Sequence, residues 1–318
     1  MTTARAVPTT RDEELEGDDA FETLRAAGRR RLLVDAVARF RAADGFSHSR
    51  ALAFQMTLTL LPALIAAVGA AAALEQEAFR RAVQTLIESV APSAVAEILT
   101  AALRQGSASA REESGETAVA AGFVAAVLAG TGAMAQVERG ANRIYGVERD
   151  RPFLRKYGVA LGLTLTAGVL ALLSVVVLVG GATVRDAVGF GAEIDAVWRI
   201  ARWPLGLALV VASVSLLLEI APRRRQPEPS WLAVGAAVAA TLWLAFMGLL
   251  VAYFELTGSF GATYGPLAGT IGLLLWTFLT SVALFLGVAF AAQLEAVRAG
   301  VPEPRVERDE NLDAAAPA

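Results

Sequence analysis

The chain has 318 residues, of which 55% are hydrophobic and 19% charged, with a mean hydropathy of +0.52. An average soluble domain carries about 25% charged residues, so two soluble cores of this size would lack the charge to cover them. The net charge of −3 offers no overall basic field for nucleic acid, and the lack of cysteine with a single histidine, His48, excludes disulfides, thiolate metal sites and histidine-rich hydrolytic centres.

In chain order, residues 1–20 are polar and acidic, with Arg11-Asp12-Glu13-Glu14 and Asp18-Asp19, and read as a disordered tail. Segment 21–46 reads as an interfacial amphipathic helix. Leu33, Val37 and Phe40 share one face with Ala36 beside them, and Arg29, Arg30, Arg39 and Arg41 tend to the other. Asp44-Gly45 ends it, and Ser47 or Ser49 can cap the next helix.

The apolar residues after this point fall in blocks of about 20 or more, the length that crosses roughly 30 Å of hydrocarbon. The spacing predicts six spans within 47–296: about Ala51–Leu74, Thr117–Val137, Tyr157–Val184, Trp203–Ile220, Trp231–Phe254 and Pro266–Leu294. Their central stretches hold no charged residue, which at mid-bilayer would cost about 2.5–3.5 kcal/mol. The first block is too long for a signal-peptide core and is expected to insert as an uncleaved anchor. It carries Gln55, Thr57, Thr59 and a central Pro62, where a kink is expected. Between spans one and two, the excursion 75–115 holds Phe79, Val83, Leu86, Ile87 and Val90 at helical spacing. After Pro92 come Val95, Ile98, Leu99 and Leu103, predicting two short amphipathic helices. Residues 297–318 form a tail.

Basic residues set the orientation. Seven arginines, Arg25 to Arg50, precede span one. Arg139, Arg143, Arg149, Arg151, Arg155 and Lys156 lie between spans two and three, and Arg223-Arg224-Arg225 between four and five. The alternate loops are poorer, so both termini are expected in the cytoplasm and the chain in a plasma or inner membrane.

Two sets of residues could serve a substrate path. One is the glycine-rich junction of spans five and six, Tyr253 to Pro266 with Tyr264 and Gly265, either a re-entrant loop or a tight turn with aromatic anchors. The other is Gln55, Pro62 and Gln136 inside the spans, which either meet a substrate or bond helix to helix. Arg139, Asn142, Arg143 and Arg151 are candidates for gripping lipid headgroups, or else only anchors of topology. Glu219 and Glu255 stand at span ends within reach of water, so neither makes a convincing intramembrane proton relay. No nucleophile–base pair, phosphate loop, metal cluster or cofactor motif is present.

A string of short motifs resembles the YihY/virulence factor BrkB membrane proteins, once labelled ribonuclease BN. It runs from Ala51-Leu52-Ala53-Phe54 and Leu60-Leu61-Pro62 through Glu138-Arg139-Gly140-Ala141-Asn142-Arg143-Ile144-Tyr145-Gly146-Val147-Glu148 and Arg151-Pro152-Phe153. Ala221-Pro222, Trp231, Gly235-Ala236, Tyr253, Tyr264-Gly265-Pro266-Leu267 and Leu273-Leu274-Leu275-Trp276 complete it. The resemblance covers about Val34 to Ala296. It departs where the family commonly has Gly-Ala-Glu near the end of span six and this chain reads Gly287-Val288-Ala289, and again around Leu218-Glu219, where a tyrosine is common. The ribonuclease label conflicts with one histidine and no cysteine.

The expectation is therefore an all-α polytopic membrane protein, not an enzyme. It is read as a carrier or flippase-like transporter of a lipid or amphiphile, with membrane lipids as partners, no nucleic acid and no cofactor. The alternative is a non-transporting scaffold for envelope proteins.

Overall fold

A computed structural model describes residues 3–10, 17–73, 84, 95–96, 99–101, 115–179, 192–257 and 267–306. Nearly all of the excursion 75–115, the junction 258–266 with Tyr264 and Gly265, and the tail beyond 306 lie outside the described residues.

Eight long helices are described: α1 (Gly17–Ala27), α2 (Arg29–Ala42), α3 (Gly45–Ala73), α4 (Gly115–Tyr145), α5 (Phe153–Val179), α6 (Ala192–Ile220), α7 (Pro229–Leu256) and α8 (Ala268–Arg298). Five of them, α4 to α8, are long and apolar enough to cross a membrane. They expose Phe123, Leu172, Leu207, Leu244 and Leu249 without cover from the protein. In water such surface would be costly; against lipid tails it costs nothing. α3 is 29 residues long, with Pro62 inside it.

Each of α3 to α8 packs on the next in chain order, and α8 closes the ring on α3. Side-chain registers give the directions of four of these pairs. Gly132 faces Gln55 and Gly130 faces Thr59 across α4 and α3. Ser213 donates to the Ala167 carbonyl across α6 and α5, and Trp243 Nε1 donates to Thr280 across α7 and α8. Across α3 and α8, Thr57 meets Thr277 at 3.4 Å and Ser281 donates to Met56 Sδ. Gly206 lies beside Leu178 and Gly287 beside Ala239, so in each of these pairs one number rises as the other falls and the neighbours are antiparallel. α8 is the most enclosed helix, with 56% of its most apolar stretch buried, against 22–39% for α4 to α7.

Backbones approach most closely between α7 and α8. A Cβ added to Gly287 would stand 2.5 Å from Ala239 Cβ, and one on Gly235 would stand 2.7 Å from Ala291 Cβ. With no hydrophobic drive between helices in lipid, small residues at such crossings allow the dispersion contact that holds them.

Three features differ from the sequence expectations. The helix expected over 21–46 is two helices, broken at Gly28 with φ 82° and C-terminated at Ala42 before Asp44, itself at φ 57°. Within α2, Leu32, Ala36, Arg39 and Phe40 face inward, while Leu33, Val34 and Val37 are exposed. The inward stripe is thus one residue out of phase with that expected, and Arg39 lies inside instead of on the basic face. The third difference is the tail expected to be disordered. Residues 3–5 run against 304–306, with a bridge between Ala4 and Arg305, and Val7 donates its backbone N–H to the Tyr145 carbonyl. Ala4 and Val7 are buried. Local polarity gave no hint of this, because the partners lie almost a whole chain length away.

Candidate functional site

Among the described residues, polar side chains gather along a seam on α3 and in a charged cluster at one end of the bundle.

The seam starts at His48, in the first turn of α3, whose Nδ1 lies 3.2 Å from the Gln136 amide nitrogen of α4. Its ring meets Phe285 of α8 edge-on at 6.4 Å. One face of a helix repeats at three and four residues, so His48, Leu52, Gln55, Thr59 and Pro62 follow one another along α3. Gln55 lies against Gly132, and Thr59 lies beside Gly130, which also touches Thr164 of α5. On the flank toward α8, Thr57 and Thr277 meet. Gln55, Pro62 and Gln136 therefore share one helix interface, with Gln136 buried and the other two half-buried. Tyr253 lies near the C-terminal end of α7, away from the His48–Gln136 end of the seam, exposed and with its ring 5.6 Å from that of Phe254. Burial and the charge of Arg143 hold His48 below the usual histidine range. A neutral ring can accept from Gln136 at Nδ1.

The charged end gathers the connections after α4 and α6 with both terminal segments. Arg151 donates to the Ile220, Ala221 and Pro222 carbonyls at 3.0, 2.7 and 3.0 Å. It thereby satisfies the orphan acceptors at the C-terminus of α6, where the helix dipole also favours a cation. The same guanidinium pairs at 3.1 Å with Glu138, whose side chain is 1% exposed. Asn142 is fully buried; it donates to Asp150 at 2.9 Å and accepts the Arg223 backbone N–H at 2.7 Å. Burial would raise the Asp150 carboxyl, but bonds from Lys156 and Asn142, with the charges of Lys156 and Arg139, hold it below the ordinary range.

Deeper in the same end, Arg224 forks onto Glu295 at 2.6 and 3.2 Å, stacks 4.8 Å above the Tyr145 ring and donates to the Pro8 carbonyl. Arg39 donates to Gln293, to the Arg5 carbonyl and to the Ile144 carbonyl.

Of the expected headgroup residues, Asn142 and Arg151 are thus engaged inside the protein. Arg139 and Arg143, four apart on α4, remain exposed, with Arg139 3.7 Å from Asp150. Glu219 is half-buried and Glu255 exposed. Arg39, Glu138, Lys156, Arg224, Gln293 and Glu295 were not anticipated. A signal existed for Glu295, an acidic residue in the otherwise small and apolar Ala291 to Ala296 apart from Gln293. The carboxylate lacking at Gly287-Val288-Ala289 has no counterpart there, yet α8 buries one at Glu295, about two turns on. Among the described residues no three histidine, aspartate or glutamate side chains are placed to hold a metal ion.

The sequence pattern of the virulence factor BrkB family matches residues 36–311. The chain belongs to that family. Two relatives extend this. The ribonuclease-like protein YfkH of Bacillus subtilis is 26% identical over 259 residues, covering 80% of this chain and 92% of its own length. A UPF0761 membrane protein of Stenotrophomonas maltophilia is 29% identical over 267 residues, covering 80% of this chain but 58% of that protein. No solved structure matches. With its membrane-length helices, this BrkB-family chain is a multi-pass membrane protein. The motif from Glu138 to Tyr145 that carried the resemblance supplies the floor of the charged end: Glu138, Asn142 and Tyr145 all point inward.

Proposed function

We propose that this protein moves a lipid or other amphiphile across a plasma or inner membrane, without enzymatic chemistry. The observation that carries the reading is the uncharged polar seam along α3. Polar side chains also join helix to helix in a membrane, but this chain concentrates two carboxamides, a neutral histidine and three threonines around one helix, more than a single contact between helices requires. Groups of that kind exchange hydrogen bonds with a passing headgroup without trapping it as a fixed charge would.

α3 serves as the sixth span. It lies antiparallel to α8 and closes the ring, so a crossing by α8 carries α3 with it. Six crossings bring both termini to one side, and the arginines of the charged end favour the cytoplasm. α1 and α2 lie in the interface, where Phe21, Leu33, Val34 and Val37 meet acyl chains and Arg29, Arg30 and Arg31 meet phosphates. Arg139 and Arg143 gather headgroups at the mouth of the seam.

The test is reconstitution of the full chain in liposomes with fluorescent lipids and amphiphilic solutes. Wild-type protein should move at least one of them, and Gln136→Ala with Gln55→Ala should slow that movement severalfold while leaving the fold intact. Absence of movement across a broad panel overturns the reading. It would favour a second one, a non-transporting scaffold, which the packing of both terminal segments over the charged end supports.

A further inference from the structure

Among the described residues, the deeper part of the charged end holds an excess of buried positive charge. Arg224 has a carboxylate of its own in Glu295, both nearly inaccessible. Arg39 has none. Its side chain is fully buried, and its three hydrogen bonds go to neutral oxygens of Gln293, Arg5 and Ile144. Burial brings this guanidinium down to about 10, which leaves it charged at neutral pH. Among the described residues, two buried guanidiniums thus face one carboxylate, an excess of one positive charge, and a buried charge without a counter-charge is costly.

At this level of the bundle lie donors with no partner among the described residues: Arg39 Nη2, Arg224 Nε, Trp231 Nε1 and the Thr10 hydroxyl. Several elements bring them together. α2 supplies Arg39, and the link between α6 and α7 supplies Arg224. The N-terminal segment brings Thr10, whose backbone amide is turned toward Glu295. Trp231 belongs to the first turn of α7, and the register that sets Gly235 against Ala291 and Gly287 puts it level with Glu295. That helix end also carries the positive pole of a 28-residue dipole. Tyr145 closes one side, with the Gln226 side chain near its hydroxyl but outside hydrogen-bond geometry. In native interiors orphaned donors of this kind are rare, and each points to a missing acceptor.

We propose that this cluster is an anion site for a phosphate group, gripped by Arg39, Arg224 and Trp231 and covered by the N-terminal segment, whose Arg5 and Pro8 carbonyls the two arginines hold in place. Arginine forks match phosphate oxygens, and an indole N–H adds a neutral donor. The phosphate comes either from the aqueous phase or from the headgroup of an anionic lipid. The site is independent of the transport reading: a scaffold could carry it equally well.

The experiment uses the purified full chain, stripped of lipid in a neutral detergent. One arm adds inorganic phosphate and follows thermal unfolding and tryptophan fluorescence. The other adds phosphatidylglycerol or, as the zwitterionic control, phosphatidylcholine, and counts retained lipid by native mass spectrometry. Protection by phosphate assigns a free anion; selective retention of phosphatidylglycerol alone assigns a headgroup; either supports the site. Arg39→Gln should weaken binding about tenfold, the loss of one strong charged contact. Trp231→Phe keeps the ring and removes one donor, and should weaken it severalfold. Glu295→Gln should tighten binding, because it removes the competing negative charge, a direction that a purely structural role does not produce. If neither ligand protects the wild type, or if Trp231→Phe and Glu295→Gln both bind as the wild type does, the proposal fails even where Arg39→Gln does not fold.

Discussion

Replacing Arg151 by alanine isolates the largest electrostatic commitment outside the phosphate-binding cluster. The guanidinium is 13% exposed and Glu138 beside it 1%. Removing it strands a carboxylate inside the protein, and breaking such a pair costs about 3–5 kcal/mol. The Ile220, Ala221 and Pro222 carbonyls lose their donor as well. Water can reach part of that edge, since Arg151 is itself partly exposed, so these carbonyls add little beyond that figure. At about 2–4 °C per kcal/mol for a chain of this size, the variant should unfold roughly 10 °C lower in detergent. The companion Glu138→Gln alone should cost about 1–2 kcal/mol, because Arg151 keeps its three carbonyl acceptors. In Arg151→Ala with Glu138→Gln the stranded charge is gone, and about 1–3 kcal/mol should return. Apparent melting by intrinsic fluorescence, checked by size-exclusion chromatography of heated samples, measures all four corners of the cycle. A double variant no more stable than Arg151→Ala would refute the reasoning, for it would place the loss in the α6 terminus and not in Glu138.

Other expectations rest on the same kind of contact. Gly287→Ala and Gly235→Ala each force α7 and α8 apart and should cost about 1–3 kcal/mol. Because one separation relieves both clashes, their double variant should cost clearly less than the sum; strict additivity in thermal melts would show that the two sites do not share one crossing. For His48 the folded state holds the ring below its unfolded value near 6.5. The unfolded state then binds more protons, so stability should be level above about pH 7 and fall as pH drops through 6.5. His48→Gln should remove that slope, and an unchanged melting profile between pH 7 and 5.5 would place the acid loss elsewhere. Gly28→Ala, at a backbone conformation with φ 82° and open space around it, should cost about 1–3 kcal/mol through strain alone, and a separation of α1 from α2 by proteolysis would report it.

Much of the architecture was readable because the bilayer acts on every residue in the same way. A span needs a long run without charge, and five such runs coincide with α4 to α8. Span ends were less exact. α4 runs to Tyr145, eight residues beyond the expected Val137, since an amphipathic turn with buried Glu138 and Asn142 breaks the apolar run but not the helix. Phase within α2 was misread for a related reason. Leu32-Leu33-Val34 offers apolar residues on successive positions, so hydrophobicity cannot choose the inward stripe, and an arginine there was counted as outward.

Length, apolar runs and the placement of arginines determined by themselves that this is a membrane protein of several helices, because the cost of charge in hydrocarbon is local and needs no knowledge of neighbours. The same residues could not reveal that Arg39 would meet Gln293, or Arg224 meet Glu295. Those pairs are 254 and 71 residues apart, and only closure of the helix ring brings them together. Whether an arginine serves the surface or the interior depends on what packs over it. Tertiary structure decided that for Arg39, Arg151 and Arg224, and with them placed the charged end and the site it contains.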